Sequence, residues 1–394
     1  MVMQNSHDYL TGKYQLDEKR SLTDRIRADL PNKLIVLTGP RQAGKTTLAR
    51  QLMTDYPRAQ YLNWDVPADR EIILSGAWSP RAGLLVFDEI HKMRDWKAFL
   101  KGAWDGRSPG QAILVTGSAR METFRQGGES LAGRYFAWRL HPFSVREAVD
   151  MLGMKPADAL DRLLERGGFP EPFLAADNVT AERWRSQYAT DLIREDVLEF
   201  SRVHEIRSLQ LFVDLLRERV GSPVKISALA QMLQISPNTA TRYLEILEAL
   251  YIVFRVTPWH RDISRAILKE SKIYFFDTGL VRGDAGARLE NAVAAMLLRH
   301  AHYRHDAEGK AVTLHTIRDK EQHEIDFVLA EEGAITDLIE VKHADATVSP
   351  YFHRMSERLP QAAAVQIVAE LRQEARRGRV DVVAAAEWLA GLQA

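Results

Sequence analysis

KLIVLTGPRQAGKTTLARQL, residues 33–52, places Gly39, Gly44, Lys45 and Thr46 in the spacing G-x-x-x-x-G-K-[ST]. Successive backbone N–H groups of such a loop wrap a chain of phosphates, and the helix that follows turns its positive end toward them. The lysine ammonium reaches the β- and γ-phosphates, and the threonine hydroxyl ligates Mg²⁺. Residues 33–38 read as a buried strand entering the loop, and 47–52 as an amphipathic helix leaving it, which is the context this spacing requires. The expected fold class is therefore α/β, built on a P-loop parallel sheet. The expected cofactors are ATP and Mg²⁺. The ATP-binding set is Gly39, Pro40, Arg41, Gln42, Ala43, Gly44, Lys45, Thr46 and Thr47.

A second element follows at GLLVFDEIHKM, residues 83–93. Leu84 to Phe87 suit a parallel strand buried on both faces, so Asp88 falls at its carboxyl end, where ligand chemistry gathers in open α/β sheets. Asp88 would hold the metal, with Thr46, and Glu89 would polarise the attacking water. A third apolar run, Ala112 to Val115, leads to Thr116 and Ser118, either of which is a candidate sensor of the terminal phosphate. Arg134 follows Gly133 as the chain enters another apolar strand. There it would stabilise transition-state charge in a neighbouring subunit's site, with Arg139 and Arg120 weaker candidates.

The 394 residues allow two to four domains, and the 53 basic and 53 acidic residues balance. A nucleic-acid partner would then need local basic patches, because no global field exists to attract it. Without cysteine there is no disulfide, thiol nucleophile, Fe–S cluster or Cys-based zinc site. No apolar run approaches the ~20 residues of a membrane span, and the first residues lack the pattern of a signal peptide. The expected home is the cytoplasm, with no membrane partner.

The succession GPRQAGKTT, LLVFDEIHKM, ILVTGSAR, ESLAGRYFAWRLHPFS and GGFPEPF resembles a family of prokaryotic AAA+ ATPases. Its members carry a C-terminal region of winged-helix plus nuclease-like fold. The resemblance implies that Asp88 and Glu89 form the Walker B pair, that Lys45, Glu89 and Arg134 carry catalysis, and that the chain assembles into a homo-oligomer, commonly a hexameric ring. The segment YATDLIREDVLEF is similar to a family helix bearing an Arg-Asp pair. Here the order is Arg194, Glu195, Asp196, which departs from that pattern.

Four segments are expected: an AAA+ domain over 1–155, a helical lid over 156–205, a winged helix over 206–283 and a nuclease-like domain over 284–394. Gly167 and Gly168 would serve as a hinge of the lid. Residues 228–233 and 237–250 have the cadence of a helix-turn-helix, with Ala240, Leu244, Leu247 and Leu250 on the buried face. Asn238, Thr239 and Arg242 would meet DNA in a reading role, although such modules also dock proteins. In HEIDFVL (323–329) and DLIEVK (337–342), period-two alternation sets Ile325, Phe327, Leu329, Ile339 and Val341 on one face. Asp326, Glu340 and Lys342 then share the other face, and the three resemble the site of PD-(D/E)xK nucleases, with Glu290 on the preceding helix as an additional acid. Asp326 and Glu340 would bind Mg²⁺ or Mn²⁺, with Lys342 helping the hydrolytic water. The main expectation is ATP hydrolysis coupled to binding and remodelling of duplex or branched DNA. An ATP-gated protein-docking switch and a motor-loaded nuclease are the alternatives.

Overall fold

The computed structural model of the chain describes residues 19–117, 131–200, 206–260 and 270–393, apart from the side chains of residues 189 and 193–200. Five short strands form the first sheet: β1 (Leu34–Thr38), β2 (Gln60–Asn63), β3 (Leu84–Asp88), β4 (Ala112–Thr116) and β5 (Tyr135–Arg139). All pair in parallel, in the order β2-β3-β4-β1-β5. β1, β3 and β4 are apolar up to their last residue and buried along their whole length, as strands covered on both faces must be. Alternation sends Leu34, Val36, Phe87 and Val115 into one core and Ile35, Leu37, Val86 and Leu114 into another on the far side. The polar last residues of β1, β3 and β4 (Thr38, Asp88 and Thr116) are thereby aligned along one end of the sheet.

Beyond β5, helices over Val145–Leu152, Pro156–Arg166, Pro170–Leu174, Asn178–Phe200 and Ile206–Arg217 lead to a helix pair, Ile226–Met232 and Pro237–Ala249. The second of the pair starts where expected because Ser236 caps it, its hydroxyl accepting the Thr239 N–H at 3.1 Å, with Pro237 in the first turn. β6 (Pro223–Val224), just before the pair, joins β7 (Val253–Pro258) and β8 (Ser271–Phe275), just after it, in a ribbon, and then comes a long helix, Ala285–Glu308. The remaining strands are β9 (Val312–Arg318), β10 (Glu324–Glu331), β11 (Ala334–Lys342), β12 (Ala363–Val368), β13 (Ala375–Arg377) and β14 (Val380–Ala384).

The expected boundary at 283/284 falls inside a single sheet. β7 and β9 pair in parallel at Thr257–His315 and Pro258–Thr316, so nine strands run in the order β13-β14-β12-β11-β10-β9-β7-β8-β6. One hydrophobic core also extends from Phe143 to Leu389, across the boundaries at 155 and 205 as well. The long helix is the reason. Its Leu289, Val293, Met296 and Leu297 share that core with Tyr274 and Phe275 of the ribbon and with Phe327 and Ile339 of the later strands.

Two local expectations are corrected. Gly167 and Gly168 form a packed corner in place of a hinge. A Cβ on Gly167, at φ +75°, would stand 1.7 Å from Asp277 Oδ1, and one on Gly168 would stand 2.8 Å from the Phe143 carbonyl oxygen. Strict alternation also fails in β10, because its register against β9 shifts between Ile325 and Val328. Ile325 therefore joins Val328, Leu338 and Phe352 in a separate core, while Phe327 and Leu329 pack beneath the long helix. Among the described residues, no helix is long and apolar enough to cross a membrane.

Candidate functional site

β1 ends at Thr38, and the chain turns through residues 39–44 into the helix Lys45–Met53. Gly39 has φ +140°, and a Cβ there would lie 2.2 Å from the Leu140 carbonyl oxygen, so the loop passes only as glycine. Within the loop Ala43 is buried, Arg41 and Thr46 are half-buried, and Gln42 and Thr47 are exposed. The buried Lys45 ammonium donates to the carbonyl oxygens of Gly39 (2.9 Å) and Pro40 (2.7 Å), so the cation is held at the mouth of the loop.

Asp88 is the centre of the site. Its Oδ2 accepts the Thr46 hydroxyl at 3.3 Å and the Tyr61 hydroxyl, and its Oδ1 accepts the Glu89 N–H at 3.1 Å and the Thr116 hydroxyl. A strand-end carboxylate beside the first hydroxyl of the P-loop helix is the donor set that a phosphate-bound Mg²⁺ needs, so Thr46 and Asp88 fit the metal. When bound, that ion would neutralise charge on the β- and γ-phosphates.

Thr116, a candidate sensor, sits beside Asp88. β3 and β4 pair with Asp88 directly opposite Thr116, which turns the threonine hydroxyl onto the carboxylate in a fully buried position. Ser118, Arg120 and the side chain of Arg194 lie outside the described residues. Tyr61 was missed; a tyrosine near the end of a short strand carries no motif.

Glu89 follows with φ +55°. Burial, reinforced by Asp88, raises its carboxyl above the ordinary value, while Lys45 opposes the shift. Among the described residues its buried Oε2 accepts no hydrogen bond, and His91 Nε2 stands 3.6 Å away. A buried carboxylate oxygen with a free lone pair beside a phosphate loop suits a group that takes up a water molecule.

Arg134 lies at the opposite end of the sheet. In the parallel pair, Tyr135 faces Leu34 and Arg139 faces Thr38, so about 20 Å of strand separates Arg134 from the start of its own loop at Gly39. It pairs with Asp105 at 2.9 Å. Arg139 is taken up by Asp306 of the long helix at 2.6 Å.

A buried ionic knot that the sequence did not announce joins the loop to the rest of the chain. Arg20 donates to the Ala43 carbonyl (2.7 Å), the His141 carbonyl (2.6 Å) and Glu147 (2.8 Å). Arg299, on the long helix, donates to the same Glu147 (2.8 Å) and to the Pro142 carbonyl (2.8 Å). Burial works to raise the Glu147 carboxyl, but the two guanidinium groups hold it far below the usual carboxylate range.

The nuclease-like residues gather around Asp326, which feels Glu290, Glu340 and Lys342, with Lys272 among them. Glu290 meets Lys272 of β8 at 3.0 Å and accepts the Tyr274 hydroxyl at 2.6 Å. Glu340 pairs instead with Lys342 at 2.9 Å and accepts the Ser349 hydroxyl at 3.4 Å. Asp326 stands between the two groups, its Oδ1 3.8 Å from Lys272 and its Oδ2 accepting the Val341 N–H at 2.9 Å. Burial works against the Lys272 charge, yet Glu290, Asp326 and Glu324 carry its pKa above the ordinary lysine value. With an ammonium at its centre, this set does not fit a divalent metal. Lys272 was missed, although a lysine alternating with Tyr274 in an apolar strand was a readable signal.

Residues 31–149 match the family described as AAA domain, and this part of the chain is a P-loop ATPase domain of the AAA type. Residues 157–290 and 285–388 match two further families, each described as a domain of unknown function (DUF8612 and DUF4143). The chain is similar to the uncharacterized protein Mb2031c of Mycobacterium bovis and to the uncharacterized protein Rv2008c of Mycobacterium tuberculosis. Each is 31% identical over 272 residues, which is 68% of this chain and 59% of the relative. Among solved structures, the Walker-type ATPase PABY2304 of Pyrococcus abyssi aligns with TM-score 0.45 and 16% identity, over 67% of this chain and 94% of that one. AMPPCP-bound DnaA from Aquifex aeolicus aligns with TM-score 0.33 and 14% identity, over 61% and 93%.

Proposed function

We propose that this chain is a Mg²⁺-dependent AAA+ ATPase that couples hydrolysis to the binding and remodelling of DNA. The observation that carries the coupling is the buried Arg20–Glu147–Arg299 knot, which ties the Ala43 carbonyl of the P-loop to the long helix of the C-terminal unit. A shift of the loop on nucleotide binding has a rigid path into that unit, because a buried paired charge resists separation from its partner. In this reading Lys45 and the loop amides grip the phosphates, Thr46 and Asp88 hold the metal, and Glu89 orients the water. Arg134 serves a neighbouring subunit of a ring, most simply a hexamer, since its distance from its own loop excludes a role within one subunit.

The winged-helix reading of the helix pair and ribbon rests on element order and on exposed residues at the start of the second helix. Asn238 and Arg242 are exposed and Thr239 half-buried there, the positions a groove-reading helix presents. Adding duplex or branched DNA is expected to raise the ATPase rate and to give gel shifts that weaken steeply with salt. Arg242→Ala is expected to weaken binding. A rate indifferent to every nucleic acid, with no gel shift at low salt, would reject the coupling.

A protein partner is the second reading, favoured by Met232, which is 56% exposed on the helix preceding the capped one. ATP would then gate docking. Stoichiometric recovery of one protein, unaffected by nuclease treatment and lost in Met232→Asp, would replace DNA with that partner.

A further inference from the structure

Lys272 has no counterpart in the nuclease-like pattern that the carboxylates suggest. It projects from β8 with its side chain 1% exposed, and its ammonium touches Glu290 at 3.0 Å, Glu324, and Asp326 at 3.8 Å. Tyr274, two residues along and on the same side of the strand, donates to the same Glu290 oxygen. Asp326 spends its second oxygen on the Val341 N–H, and Glu340 is paired with Lys342. Each of these carboxylates is thus already supplied with a positive charge or a donor from the chain itself.

We propose that Lys272 is the resident cation of this carboxylate cluster, so that the folded unit takes no divalent metal there and does not cleave phosphodiester bonds. A divalent ion draws its oxygen ligands to about 2.0–2.6 Å, which needs carboxylates gathered closely around one point. Among the described residues, the group of three with ligand atoms within 4.8 Å of one another is Asp319, Glu321 and His323, on the β9–β10 turn, and it includes none of Glu290, Asp326 and Glu340. A metal between Glu290 and Asp326 would have to sit beside the ammonium, where like charges repel strongly and little water screens them. The Lys272 side chain is 1% exposed, so its ammonium stays among these carboxylates and not in water. The cluster therefore locks ribbon, long helix and later strands together by charge.

The inference is independent of the DNA reading, because its test uses nucleotide-free full-length protein without DNA. Mn²⁺ is titrated and the free ion followed by electron paramagnetic resonance. The wild type is expected to show no stoichiometric site. Lys272→Ala is expected to gain one Mn²⁺ site, tighter than any wild-type binding by about tenfold or more, and to lose it again in Lys272→Ala/Asp326→Asn. A wild-type protein that binds one Mn²⁺, with that binding lost in Asp326→Asn, overturns the proposal, as does a folded Lys272→Ala that gains no site. Should Lys272→Ala fail to fold, the wild-type titration and its Asp326→Asn control decide alone.

Discussion

Glu89 combines a left-handed backbone, a raised carboxyl pKa and a buried oxygen that accepts no hydrogen bond among the described residues. Such a group binds no nucleotide itself, so Glu89→Gln is expected to retain ATP while hydrolysing it about 100-fold or more slowly. Lys45→Ala is expected to lose the nucleotide altogether. Equilibrium binding and phosphate release measured side by side separate the two, and full turnover by Glu89→Gln would remove it as base. Because the base must be ionised, the wild-type rate should climb with pH through a carboxylate pKa above the ordinary 4.5. At this scale Gly39, Lys45, Thr46 and the Asp88–Glu89 pair were legible, since local spacing determines where each lies. Tyr61 and Arg20 were not, because each acts on a residue far away in the chain.

At the scale of elements, the decisive one is the long helix Ala285–Glu308. Removing one arm of its anchor, as in Arg299→Ala, leaves Glu147 buried with Arg20 alone and is expected to cost about 3–5 kcal/mol in urea unfolding. Acid should loosen the same junction in two stages. His141 is buried against Arg299, Arg139 and Arg20, and burial first, then those cations, holds its pKa well below 6.5. The unfolded chain binds that proton from about 6.5 downward while the folded one does not, so stability falls as pH drops below that value. Glu147, ordinarily 4.5 and depressed in the fold, adds its full contribution above that range and loses it as pH falls further. Thermal melts at pH 7.5 and 5.5 should therefore differ, and His141→Asn should narrow the gap; an unchanged gap would assign the acid sensitivity elsewhere. The apolar face of the long helix, Leu289, Val293, Met296 and Leu297, was readable from sequence. The shift in β10 was not, because a bulge depends on the neighbouring strand.

For the whole molecule, the position of Arg134 makes a prediction about assembly. If its guanidinium completes a neighbour's site, Arg134→Ala and Glu89→Gln are each nearly inactive alone. A mixture of the two should regain part of the wild-type rate, because Arg134→Ala subunits keep Glu89 and borrow an arginine from the adjacent Glu89→Gln subunit. Mixtures no faster than the sum of the separate proteins would dismiss a shared site. Arg134 must leave Asp105 to act in this way, so Asp105→Ala should preserve the mixed-ring recovery.

By itself the sequence determined the ATPase core: buried apolar strands, a phosphate loop, and carboxylates at a strand end all follow from short-range periodicity and spacing. It also placed the helix pair through the spacing of Ala240, Leu244, Leu247 and Leu250. Tertiary structure alone decided that the expected boundary at 283/284 falls inside one nine-stranded sheet, that Glu147 is shared by Arg20 and Arg299, far apart in the chain, and that Lys272 sits among the carboxylates. The physical reason is common to all three. Periodicity tells which side of an element is buried, whereas pairing of strands and charges distant in sequence depends on how those buried sides meet.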